Sequence, residues 1–100
     1  MATTIFSLIE TLTYKVNTID VCRDNHMLTD SDKEGIQQRA NVALVNVVEA
    51  VENDPVLSLN SEAIFSLVNT IIEGIGDGYY AVYTKYLGEG GRWEIKRRGE

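Results

Sequence analysis

The sequence predicts an all-α fold, a three-helix bundle at about 3–23, 29–53 and 60–87, with a long third helix and a short extended C-terminal arm. Three observations predict it. Apolar residues recur at intervals of three and four along three stretches; Thr29 and Asn60 stand where helix N-caps belong; and Pro55 and the run from Gly88 to Gly91 stand where helices stop. The boundaries divide the chain into a helical bundle domain, 1–91, and an arm, 92–100.

In the first stretch Ile5, Leu8, Ile9, Leu12, Val16 and Ile19 form one stripe, which outweighs the weak helix propensity of the threonines and β-branched residues between them. Phe6, Tyr14 and Val21 lie off that stripe. The second stretch opens on Thr29, whose hydroxyl can accept from first-turn N–H groups, with Asp30, Asp32 and Glu34 at the positive end of the helix dipole. Its core face reads Ile36, Ala40, Ala43, Leu44, Val47, Val48, Ala50 and Val51. Val42 and Val45 point into the opposite arc, among Gln38, Asn41 and Asn46. A second surface, from the arm or from another chain, is expected to cover them.

Asn53, Asp54 and Pro55 end that helix, and Asn60 caps the next, with Leu59 and Ile64 spaced as a hydrophobic staple. The third stripe reads Ile64, Val68, Ile71, Ile72, Ile75, Tyr79, Val82, Tyr83 and Tyr86. It keeps helical phase across the glycine-rich segment 74–78, so one long helix is predicted there. Gly74, Gly78 and Ala81 then share a flank suited to close helix packing. A phosphate-cradling loop in the same segment lacks the Walker spacing and a preceding strand. Beyond Gly91, Trp93 and Ile95 alternate with Arg92, Glu94 and Lys96, the pattern of an extended arm laying two apolar side chains on a surface.

The net charge of -6 argues against general nucleic-acid binding, since phosphate neutralisation needs clustered Lys and Arg. The charge is uneven: residues 1–84 hold 4 basic and 12 acidic side chains, and 85–100 hold 5 and 3. Tyr79, Tyr80, Tyr83 and Tyr86 beside Lys85, Arg92 and the basic run 96–98 combine stacking with charge, which suits single-stranded nucleic acid through the arm as an alternative. No apolar run is long enough to span a bilayer and no leader is evident, so a soluble, cytoplasmic protein is expected.

Cys22 and His26 are four apart but supply only two ligands, short of a zinc site, so Cys22 reads as a core thiol. Paired acids, Glu49 with Glu52 and Glu73 with Asp77, could hold Mg²⁺. In outline this resembles the all-helical nucleotide pyrophosphatases of the MazG type, which implies a magnesium-dependent hydrolase as a further alternative. The doubled-Glu motif of that family is absent, and solvated surface charge is the default role.

No catalytic, cofactor or metal residue is therefore expected. The leading expectation is a non-enzymatic interaction protein, a regulator or inhibitor that occupies a partner's surface and self-associates as a dimer. Its interface would be Val42, Val45, Tyr80, Tyr83, Tyr86, Trp93 and Ile95. The acidic body suits competition with nucleic acid for a basic partner, as small phage-encoded inhibitors of host defence proteins do.

Overall fold

The computed structural model describes residues 4–76, 78–86, 88 and 90–99, apart from the Tyr86 side chain. Among the described residues, four helices are followed by an antiparallel hairpin: α1 (Ile5–Cys22), α2 (Asp30–Glu52), α3 (Pro55–Ser58), α4 (Ser61–Glu73), β1 (Tyr79–Tyr86) and β2 (Gly90–Arg97). The architecture is therefore mixed helix and sheet, which corrects the all-α expectation.

The helix starts follow side-chain chemistry. Thr4 Oγ1 accepts from the Ser7 N–H at 3.1 Å to open α1. At α2 a capping box forms: Asp32 N–H donates to Thr29 Oγ1, and Thr29 N–H donates to Asp32 Oδ2, both at 3.0 Å. Asp54 accepts from the N–H groups of Val56 and Leu57, and Pro55 takes the first helical position, where its missing N–H costs nothing. So Pro55 both ends α2 and opens the single turn of α3. Asn60 precedes α4 without a side-chain capping bond, and Leu59 stays largely exposed while Ile64 faces the core.

The long third helix does not exist. α4 ends at Glu73, Gly74 takes the C-cap, and Gly76 and Gly78 adopt φ of +58° and +88°, left-handed conformations that halt a right-handed helix. Gly76 also has no room for a side chain, because a Cβ there would collide with the Asp20 carboxylate. The chain then turns into β1, whose Tyr, Val and Thr content suits a strand. β1 pairs with β2 from Tyr79↔Arg97 to Tyr86↔Gly90, and Gly88, between the strands, has φ of +81°. The segment expected as an extended arm thus holds most of β2, and the division expected at 91/92 falls within that strand.

The hairpin covers one side of the α1–α2 pair. Leu12 and Val16 of α1, Ala40, Ala43, Leu44, Val47 and Val48 of α2, Val68 and Ile72 of α4, Tyr79 of β1 and Ile95 of β2 form one buried cluster. Tyr79 and Ile95 are 2% and 4% exposed. Tyr79, expected on the stripe of a long third helix, is instead buried as the first residue of β1. Among the described residues no helix is long and apolar enough to cross a membrane.

Candidate interaction surface

Two side-chain amides on α2 fix the position of β2. Gln37 Nε2 donates to the Ile95 carbonyl at 2.8 Å and to Asn41 Oδ1 at 3.0 Å, while the Ile95 N–H donates to Asn41 Oδ1 at 2.9 Å. One turn of helix thus satisfies both outward backbone groups of Ile95, as a neighbouring strand would. The opposite edge is treated the same way: the Ala81 N–H donates to Asn69 Oδ1 on α4 at 2.8 Å. Both edges of the hairpin are tied to helices near their middle, which sets the strands in register on the bundle.

With Ile95 seated, Trp93, two residues along β2 on the same face, falls over α2. A shallow cavity of about 200 Å³ is lined by Val42, Val45, Gln38 and Asn41 from the helix and by Arg92 and Trp93 from the strand. The Trp93 ring meets Phe65 of α4 at 5.9 Å and its cross-strand partner Tyr83 at 5.6 Å between centroids, both tilted. The Tyr83 ring lies across Gly91, where a side chain would displace it. Val45 is half-buried, but Val42 remains 57% exposed and Tyr83 48%.

The residues expected at an interface are therefore divided. Val42, Val45, Trp93 and Tyr83 come together on one surface. Ile95 is spent on the protein's own core. Tyr80, paired with Lys96, alternates with Tyr79 and Ala81 and lies on the sheet's other face. The Tyr86 side chain lies outside the described residues. Gly74 caps α4, whereas Gly78 and Ala81 stand in the turn and in β1, so the shared helical flank expected of these three does not form. Phe65, which completes the aromatic cluster, went unremarked in the sequence; a long-range contact of this kind has no local signal.

A polar cluster ties the start of β1 to the end of α1. Tyr79 Oη donates to Asp20 Oδ1 at 3.1 Å, and Arg23 Nη1 donates to Asp20 Oδ1 at 3.1 Å and to Tyr79 Oη at 3.2 Å. Burial, reinforced by the Asp20 carboxylate, pushes the Tyr79 phenol above its ordinary value, against the opposing pull of Arg23. Farther along, Arg98 Nη2 meets Glu73 Oε1 at 3.0 Å.

Among the described residues no group of three or more His, Cys, Asp or Glu side chains could hold a metal ion. Cys22 is half-buried and His26 exposed. Glu49 and Glu52 are exposed on α2, Glu73 faces Arg98, and Asp77 lies outside the described residues. No family model matches the chain, and no characterised protein or solved structure does so either.

Proposed function

We propose that this protein is a non-enzymatic interaction module that self-associates as a homodimer and regulates a partner by occupying its surface. The observation that carries the reading is the surface of Val42, Val45, Trp93 and Tyr83: apolar, partly exposed, and held on two elements fixed by the amide contacts at Ile95. A second copy is the occupant that charge favours. The surface lies where a basic hairpin, with Lys85, Arg92, Lys96, Arg97 and Arg98, meets an acidic helical body. Two copies related by a two-fold axis can set each hairpin beside the other's body while burying both aromatic clusters.

Light scattering tests this on the full chain. Twice the single-chain mass is expected, falling to one chain for the double variant Val42→Asp/Tyr83→Asp, whose helical circular dichroism stays as in the wild type. A wild-type mass of one chain over the whole accessible concentration range overturns the dimer.

A second reading has its own observation. Cross-strand pairing sets Tyr80 beside Lys96 and Thr84 beside Arg92, a stacking and phosphate-binding arrangement. Anisotropy of a labelled single-stranded oligonucleotide would then rise on binding, weaken with salt and weaken further in Tyr80→Ala. A flat titration at low salt removes this reading.

A further inference from the structure

A separate cleft lies on the far side of Ile95, between the C-terminal end of α1, the first half of α2 and the end of β2. Its volume is about 190 Å³. Arg23, Lys33, Lys96 and Arg97 line it, so four of the nine basic residues of an acidic chain converge on one cavity. No described carboxylate is among its lining residues. Carboxylates stand beside two of these cations: Asp20 and Asp24 lie 3.1 and 3.7 Å from Arg23, and Glu94 lies 3.9 Å from Lys96. Lys33 Nζ donates to the backbone carbonyl of Arg23 at 2.8 Å, which holds its ammonium at the cleft without a carboxylate in that bond. Beneath the cations the wall is apolar, with Ile19, Ile36 and Ile95 joined by the Tyr79 ring.

An anion entering beside these cations exchanges water for charge-assisted hydrogen bonds, and a cleft lined by one sign of charge draws it in. An apolar wall of this size adds burial for a small hydrocarbon group. A cavity of about 150 Å³ holds benzene, so this one has space for a single ring and an attached anionic group. We propose that the cleft is a binding site for a small amphipathic anion, an apolar body of about one six-membered ring carrying a carboxylate or phosphate. Arg23 and Lys33 receive the anion from the helical side and Lys96 and Arg97 from the strand side. The site shares no lining residue with the Val42 and Tyr83 surface apart from the hairpin that carries both, and stands independently of the dimer.

The test is an amide-resolved titration of the labelled full chain at constant ionic strength, with benzoate, phenyl phosphate, inorganic phosphate and benzyl alcohol as probes. Benzoate or phenyl phosphate is expected to shift residues 19–23, 33–37 and 95–97 saturably. Inorganic phosphate and benzyl alcohol, each lacking half of the chemistry, are expected to bind at least about tenfold more weakly. Lys33→Gln and Lys96→Gln, whose spectra without probe match the wild type beyond the substituted residue's neighbours, should each weaken the aryl anion several-fold. Cys22 is the chain's one thiol and lines the same cleft, so its alkylation by N-ethylmaleimide should slow with benzoate and not with benzyl alcohol. The proposal is overturned by the absence of a saturable response to both aryl anions, by equal responses to inorganic phosphate, or by unchanged affinity in both variants.

Discussion

At the scale of residues, Tyr79 serves several parts of the molecule at once. Its ring belongs to the core and walls the cationic cleft, and its hydroxyl binds Asp20 and Arg23 at the end of α1. The raised phenol pKa links stability to alkaline pH. The folded state holds this proton more tightly than the unfolded chain does, so the contribution is complete below about pH 10, the ordinary tyrosine value, and is lost as pH rises through the folded value. Urea denaturation at stepped pH is expected to show stability falling above about pH 10, with a shallower fall in Tyr79→Phe. At neutral pH the same variant should lose about 1 kcal/mol, the worth of a hydroxyl hydrogen bond. Gly76 matters for the opposite reason: it has no Cβ, and that lets the turn pass beside Asp20.

At the scale of elements, a two-stranded hairpin is marginal alone and depends on what it packs against. Here the dependence is specific, because Asn41, Gln37 and Asn69 occupy backbone groups on both outer edges. Asn41→Ala removes the acceptor for the N–H of the buried Ile95 and leaves that donor unmet, at a cost of about 1–3 kcal/mol. Hydrogen exchange would localise the effect, with protection lost along β2 before α1 and α2.

The helix α2 was largely legible from sequence. Of the eight positions assigned to its core face, Ala40, Ala43, Leu44, Val47, Val48 and Val51 are buried and Ile36 and Ala50 half-buried. Its cap at Thr29 stands where the acidic first turn put it. The hairpin was misread as helix, because Tyr79, Val82, Tyr83 and Tyr86 satisfy helical spacing as readily as 79, 81 and 83 satisfy strand alternation. Two signals pointed to the strand: the density of tyrosine, valine and threonine, and glycines flanking the segment on both sides.

At the scale of the whole molecule, the hairpin is part of the core that the helices need. Ile95 closes the cluster between α1 and α2, so Ile95→Ala is expected to cost about 2–4 kcal/mol. That is a large share of the roughly 5–15 kcal/mol that holds a domain folded. Removing residues 92–100 also strips the partner strand from β1. Cooperative urea unfolding should then be lost and a hydrophobic dye should bind, whereas Ile95→Ala unfolds cooperatively at a lower midpoint. The cationic cleft and the Val42 and Tyr83 surface both disappear with β2, since each takes one wall from it.

The sequence by itself determined the first two helices and their buried faces, the cap at Thr29, the stop at Pro55, and the separation of an acidic body from a basic C-terminal segment. Those features rest on interactions within a few residues or on a periodicity sustained over several turns, which a linear reading can follow. Only the tertiary structure decided that Tyr79 to Tyr86 is a strand, that the arm is its partner, and that Phe65, Trp93 and Tyr83 meet. The reason is that helix and strand periods coincide over so short a stretch. What separates them is the burial of Ile95 and Tyr79, and the amide bonds from Asn41, Gln37 and Asn69, all made by residues distant along the chain.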